Sequence, residues 1–426
     1  MKLFAKSVFI LLTTLAFNSC NSKHYSDIAI TDQNADNIIS IAKELSVAGP
    51  RNAGTGKEGE TREFILSRLK SYGVDADVEN FDFESYRLKE MTILIDGSSY
   101  QPTFAGINPY EGSMPINAET YIADESRPGN GSPEGKILIS DNPDMFFMAL
   151  QSGSRAFVSL DKDDFEAIKT KNNAPAVLMY KGTGIRLSSA NIIVNLGRHD
   201  KSLQTLCFTA HYDSYLTSPG ANDNGTGVGA LLEMARVFKS VENSLPMNVR
   251  LVFFGSEEIG LVGSREYVST HLDELGDIRL LINFDTFGGN RAPYIATARG
   301  QQGIPAEGIA NQLDPVMNNR ALEGPAGKWR LFHPSIFPMV MASNYPEWVQ
   351  AVVDSAASDL KTEVYNQHLM SDHLTFAGAG VPAISIQSRE HTIHSEADIP
   401  ENINRESVRS CFALAWQITK RILENN

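Results

Sequence analysis

Val249-Arg-Leu-Val-Phe-Phe254-Gly-Ser-Glu257-Glu258 joins an apolar run of strand length to two adjacent acids across a Gly-Ser turn. A short run rich in Val and Phe fits a strand buried on both faces, as in a parallel sheet. The same grammar recurs three times. Thr205-Leu-Cys-Phe-Thr-Ala210 runs into His211, Leu280-Leu-Ile-Asn-Phe284 into Asp285, and Pro382-Ala-Ile-Ser-Ile386 into the loop that carries His394. Helical patterns lie between the runs, one with Val228, Leu231, Leu232, Ala235 and Phe238 on a single face. This order predicts an α/β fold, with a mostly parallel mixed central sheet flanked by helices.

Outward from these strands the pattern changes. Upstream, residues 36–72 carry apolar side chains at helical spacing, including Phe64, Leu66, Leu69 and Tyr72, with Gly73 placed to end a helix and an edge strand expected at 74–83. From about 91 to 181 short runs such as Lys136-Ile-Leu-Ile-Ser140 and Ala176-Val-Leu-Met-Tyr180 alternate with Gly, Pro, Asn and Asp clusters, which predicts a small β-rich inserted domain. The expected division is therefore 28–95 with 190–426 as the main domain and 96–189 as the insert. Residues 300–365 hold Pro-rich turns around Trp329 and Pro338 and then a helix at 345–360. That stretch is expected to form a lid, with Trp329 and Trp348 in packing roles.

The 426 residues are 42% hydrophobic and 21% charged, an ordinary globular balance that permits a sizeable core. A net charge of −14 argues against nucleic acid and anionic lipid as partners, because such binding rests on Lys and Arg neutralising phosphates. At the start, Lys2 and Lys6 precede an apolar stretch over 7–17, and Asn18-Ser19 lead to Cys20. Residues 1–20 resemble a bacterial lipoprotein signal peptide. The resemblance implies export and lipid anchoring through Cys20, the only membrane attachment expected, with a soluble periplasmic or secreted protein as the alternative. Cys207 and Cys411 fall in segments that read as a buried strand and the C-terminal helix, where a thiol acts as a small hydrophobe.

Ligands of open α/β sheets bind beyond the carboxyl ends of the strands. Four strands here end at or near a metal-capable side chain, which singles out His211, Glu257 with Glu258, Asp285 and His394. Asp213, two residues after His211, can take an imidazole N–H and fix its tautomer, and Asp398 stands in the same relation to His394. Asp223 sits on the Gly-flanked turn Pro219-Gly-Ala-Asn-Asp223-Asn-Gly-Thr-Gly227, where a carboxylate can approach two cations at once; Asn224 reads as a helix cap. Adjacent acids after a buried strand repel and lose solvation unless a cation compensates them. Imidazole plus carboxylate without thiolate suits zinc in a catalytic role, although cobalt or manganese fits the same donors.

These motifs, together with Ser371-Asp372-His373 and His394-Ser-Glu-Ala-Asp398, resemble the co-catalytic zinc aminopeptidases, a family that also includes glutaminyl cyclases and glutamate carboxypeptidases. The resemblance covers about residues 190–400. It implies a zinc-exopeptidase-like fold and two zinc ions per chain. His211 and Asp285 would bind one ion, Glu258 and His394 the other, and Asp223 would bridge them. Glu257 would be the base that activates the bridging water and later protonates the leaving amine, and Asp213 would orient His211. The insert resembles a protease-associated domain. His391-Thr392 offers a second candidate for the last ligand, and the oxyanion-stabilising position is open between Tyr365 and His368.

The expected activity is removal of amino-terminal residues from peptides with a free amino terminus. Rivals on the same scaffold are a glutaminyl cyclase and a carboxypeptidase, for which Arg291 and Arg389 are candidate carboxylate binders. A catalytically inactive binding protein is the rival of another class. An intact Glu257 beside a full ligand set argues against it, since a binding module needs no base there.

Overall fold

The computed structural model describes residues 24–425 apart from 108–114, 124–130, 143–144, 146–148, 150–151, 216, 291, 297–320, 324–329, 332–345, 364–365, 368–370 and 389–391. Cys20, Arg291, Trp329, Pro338, Tyr365, His368, Arg389 and His391 therefore lie outside the described residues.

The helical spacing over 36–72 resolves into two helices, α1 (Asp32–Val47) and α2 (Gly56–Ser71), where the pattern suggested one. The break falls at Ala48-Gly49-Pro50. Gly49 takes a left-handed φ of 86° and Pro50 has no amide hydrogen with which to continue a helix. Next comes β1 (Asp77–Ile95), far longer than the expected strand at 74–83. Short strands follow: β2 (Ser98–Tyr100), β3 (Phe104–Ile107), β4 (Ile116–Ile122), β5 (Ile137–Ser140) and β6 (Ala156–Ser159), then the short helix α3 (Lys162–Ile168). The strand β7 (Pro175–Leu196) returns antiparallel along β1, from Ile95↔Ala176 to Asp77↔Ile193. β3 to β6 and the adjoining parts of β1 and β7 enclose a cluster of their own that includes Ile93, Ile139, Val158, Phe165 and Leu178.

Past β7 the main sheet is built from β8 (Thr205–His211), β9 (Asn248–Phe254), β10 (Ile278–Phe284), β11 (Tyr294–Ala296) and, after the short strands β12 (Ala321–Glu323), β13 (Arg330–Leu331) and β14 (Asn366–Gln367), β15 (Ala383–Gln387). Its order is β7-β9-β8-β10-β15-β11. The three central pairings are parallel, while β7 joins β9 and β11 joins β15 antiparallel. The sheet is thus mixed with a parallel centre, as the apolar runs predict.

Alternation along each strand feeds two apolar layers. One face buries Phe208, Leu251, Phe253 and Ile282 under α1, α4 (Gly227–Val241) and α8 (Arg405–Glu424). The other buries Val252, Phe254 and Leu281 under α5 (Val262–Thr270) and α7 (His373–Gly378). Each fully buried large apolar side chain contributes on the order of 1.5–3 kcal/mol. Trp348, on α6 (Glu347–Leu360), packs on the first layer with the Arg279 guanidinium 4.4 Å over its ring. Cys207 and Cys411 are buried with free thiols. Among the described residues no helix is long and apolar enough to cross a membrane. The parallel strands β8, β9, β10 and β15 all deliver their carboxyl ends to one edge of the sheet, so the residues that follow them converge there.

Candidate metal centre

β8 ends in His211, which is buried at 1% exposure, and the chain passes through Tyr212 to Asp213. β9 ends at Phe254, and Gly255-Ser256 turns the chain, Ser256 taking a φ of 57°, so that Glu257 and Glu258 precede α5. β10 delivers Asp285, and the loop beyond β15 delivers His394 at a φ of 64°. Asp223 comes from the tight turn Ala221–Thr226 that opens α4.

These side chains meet. Asp223 Oδ1 lies 3.3 Å from His211 Nε2, and Asp223 Oδ2 lies 3.1 Å from His394 Nε2. Asp285 Oδ1 is 3.7 Å from His211 Nε2, and Glu258 Oε2 is 3.7 Å from His394 Nε2. Two triads result, His211–Asp223–Asp285 and Asp223–Glu258–His394, each with ligand atoms within 4.8 Å of one another and Asp223 common to both. Glu257 forms a third such group with His211 and Glu258. Asp285 Oδ1 is buried, and no hydrogen bond reaches it among the described residues. A buried carboxylate oxygen left this way is unfavourable unless a cation meets it, and the donor set suits zinc.

Burial and mutual charge act on these groups together. Burial, then the Asp223 and Glu257 carboxylates, lift the Glu258 carboxyl well above its usual range. Burial lifts Glu257 likewise; the His211 charge opposes this and Asp372, Asp285 and Asp213 reinforce it. Against the effect of burial, His211 and His394 hold the Asp223 carboxyl below its usual range. Burial disfavours a charged His211, yet Glu257, Asp213, Asp223 and Asp285 outweigh it and raise that imidazole. Asp372, at the start of α7, is pushed up to about 7 by burial.

A layer of buried polar contacts holds the loops. Asp213 Oδ1 accepts the Glu257 amide at 2.9 Å and Oδ2 the Glu258 amide at 3.0 Å, while Oδ1 lies 3.4 Å from His211 Nδ1. Asp398 departs from the expectation that it orients His394. Its carboxylate accepts the Asn222 amide at 2.7 Å, the Asp223 amide at 3.0 Å and the Ser218 hydroxyl at 3.4 Å. Those amides emerge from the tight turn and outcompete a local partner, since a carboxylate is a strong acceptor for backbone N–H groups. Asn224 caps as expected by accepting the Gly227 amide, and it also donates to the Phe284 carbonyl at the end of β10.

Two residues escaped the sequence reading. Arg51, fully buried, donates to the carbonyls of Tyr212, Pro219 and Gly220 and so ties the His211 and Asp223 loops together. Glu58 accepts from the amide and hydroxyl of Ser256, from the Ser189 hydroxyl and from the Gly54 amide. The only local signal was Thr55-Gly-Lys-Glu58, which reads as an ordinary helix-capping pattern. His373 is buried at the start of α7.

Residues 191–326 and 333–419 match the model of Peptidase family M28. The chain is 30% identical over 289 residues to Aminopeptidase YwaD of Bacillus subtilis (strain 168), covering 59% of this chain and 61% of that protein. It is 27% identical over 326 residues to the Probable lipoprotein aminopeptidase LpqL of Mycobacterium tuberculosis, covering 67% of this chain and 62% of that one. The chain thus spans about three fifths of the length of these curated relatives. Its fold is that of BSAP, a zinc aminopeptidase from Bacillus subtilis, with a TM-score of 0.59 at 23% identity over 91% of this chain and 95% of that one. Matched over more than half its length, with the matched segments carrying every strand-end residue of the cluster, the chain belongs to Peptidase family M28.

Proposed function

We propose that this chain is a di-zinc aminopeptidase that hydrolyses the amino-terminal bond of peptides. The observation that carries the reading is the division of Asp223, whose two oxygens face two different imidazoles, each backed by its own second carboxylate. His211 and Asp285 would hold one ion, Glu258 and His394 the other, with Asp223 between. Two zinc ions bound there would acidify a water and polarise the scissile carbonyl. Glu257 is close enough to His211 and Glu258 to take a proton from that water and return it to the departing amine as the C–N bond breaks. Asp213, by gripping the amides of Glu257 and Glu258, keeps both carboxylates aimed.

The names of YwaD and BSAP, as aminopeptidase and zinc aminopeptidase, support the substrate class and the metal. That of LpqL, a probable lipoprotein aminopeptidase, supports export with lipid attachment at Cys20. Residues 96–189, whose strands β3 to β6 gather around their own apolar cluster, are read as an inserted unit on this peptidase scaffold.

A panel of di- and tripeptides with free or acetylated amino termini tests the activity, before and after chelation. Hydrolysis confined to free amines, lost on chelation and restored by zinc, is expected. Glu257→Gln should lower kcat by about 10²–10⁴-fold with zinc retained. Equal cleavage of the acetylated series would replace the aminopeptidase by a carboxypeptidase or endopeptidase. Conversion of amino-terminal Gln to a cyclic product without hydrolysis would make it a glutaminyl cyclase.

A further inference from the structure

His394 is held from outside its own loop as well as by it. It is an exposed-edge candidate ligand, its side chain 18% accessible, and it sits at a φ of 64°, where a residue with a Cβ is strained. Asp398 is engaged with the Asn222 and Asp223 amides. Against the flat face of the imidazole lies Tyr215, with ring centroids 4.4 Å apart and planes tilted by 28°. Tyr215 in turn packs on an apolar cluster that includes Ile259 and Val262, just past Glu258, and Tyr121, Leu138 and Phe157 from the β-rich segment.

We infer that Tyr215 is the positioning residue for His394, and that through it the β-rich segment braces the Asp223–Glu258–His394 half of the centre. The inference rests on the two-zinc reading above. A ring stacked on an imidazole face fixes the rotation that a hydrogen-bonded carboxylate otherwise fixes, and leaves Nε2 aimed at Asp223 and Glu258. The effect is confined to one ion, because the imidazole that Tyr215 faces is that of His394, while His211 Nδ1 lies 3.4 Å from the Asp213 carboxylate. The contact with His394 is ring on ring, so the role assigned to Tyr215 is to hold that imidazole rather than to bind metal.

The test is zinc binding by the full chain in competition with a chromophoric chelator, for the parent, Tyr215→Phe, Tyr215→Leu and Tyr215→Met. Removing a partner that orients a metal ligand weakens binding by about 10–100-fold. Tyr215→Leu and Tyr215→Met should therefore release one of two ions about 10-fold more readily and leave the other as in the parent, while Tyr215→Phe, which keeps the ring, should match the parent at both. Tyr215→Met retains apolar bulk against Ile259, so a shared defect in Leu and Met variants reports the lost stack rather than lost core volume. Thermal melts of the metal-free proteins record any loss of packing separately, and the deciding readout is the difference between the two ions within one variant. A parent that binds two ions, with a Tyr215→Leu variant that holds both as tightly or loosens both alike, overturns this inference alone. A parent that binds fewer than two ions overturns the proposed two-zinc function and this inference with it.

Discussion

Asp213 Oδ1 faces His211 Nδ1 at 3.4 Å, and its two oxygens also accept the amides of Glu257 and Glu258. One carboxylate thereby relates a candidate ligand of one ion, a candidate ligand of the other and the candidate base. Asparagine at this position keeps the shape but turns one acceptor into an NH2 that meets a backbone N–H head on. Asp213→Asn is expected to weaken zinc binding by about 10–100-fold, and to lower kcat with it, as read by chelator competition and initial rates. Zinc affinity equal to the parent's would remove Asp213 from the support of the centre. Residues such as His211, Asp285 and Glu257-Glu258 were legible because each ends a buried apolar run, where an ionisable group has no reason to sit without a counter-charge. Arg51 and Glu58 were not, because their partners lie far along the chain: Tyr212 is 161 residues beyond Arg51, and Ser256 is 198 beyond Glu58. Asp398 was legible as a carboxylate near the site, but its spacing from His394 suggested a local partner while the fold brought it the amides of residues 222 and 223.

Elements were legible where one period dominates. The four apolar runs gave β8, β9, β10 and β15 within two residues of their observed bounds, since a strand buried on both faces has little else it can be. The leading helix was misjudged because apolar residues at helical spacing occur on both sides of the break, and Gly49-Pro50 is what stops it. β1 was misjudged in length because its pairing with β7 continues into a segment whose local pattern differs. The turn before α4 is where element and site meet. Gly227 has an ordinary helical backbone, φ −65°, so its need is for space. A Cβ there would lie 2.1 Å from Asn224 Oδ1 and 2.6 Å from the Phe284 carbonyl oxygen, and the Asn224 side chain is itself bound to that carbonyl. Gly227→Ala should therefore destabilise the fold by about 1–3 kcal/mol, the usual range for overpacking, and displace Asp223 with the turn. Denaturant midpoints with and without zinc check this: the variant should lose stability in both and gain less from zinc than the parent. A variant as stable as the parent would mean that the turn gives way freely.

At the scale of the whole molecule, the segment outside the family match supplies part of the framework of the centre. Arg51 and Glu58, from the loop between α1 and α2 and from α2 itself, bind backbone of the loops after β8 and β9, one a buried cation and the other a buried acid. Burial, reinforced by the Asp213 charge, pushes the Glu58 carboxyl up to about 8 from an ordinary 4.5, although donors from Gly54, Ser189 and Ser256 oppose the shift. Between those two values the folded chain keeps a proton that the unfolded chain has lost. Raising the pH therefore favours unfolding across that window, and the stabilisation associated with this proton is complete below about 4.5 and gone by the time the pH passes about 8. Glutamine cannot titrate. Relative to the parent, Glu58→Gln should gain stability steadily as the pH is raised from 4.5 to 8 and hold a constant difference above that, whatever fixed offset its altered hydrogen bonds introduce. Chemical denaturation at matched zinc concentration over that pH range measures the difference directly. A difference that stays flat would mean that Glu58 enters the fold already ionised, with its four donors outweighing burial.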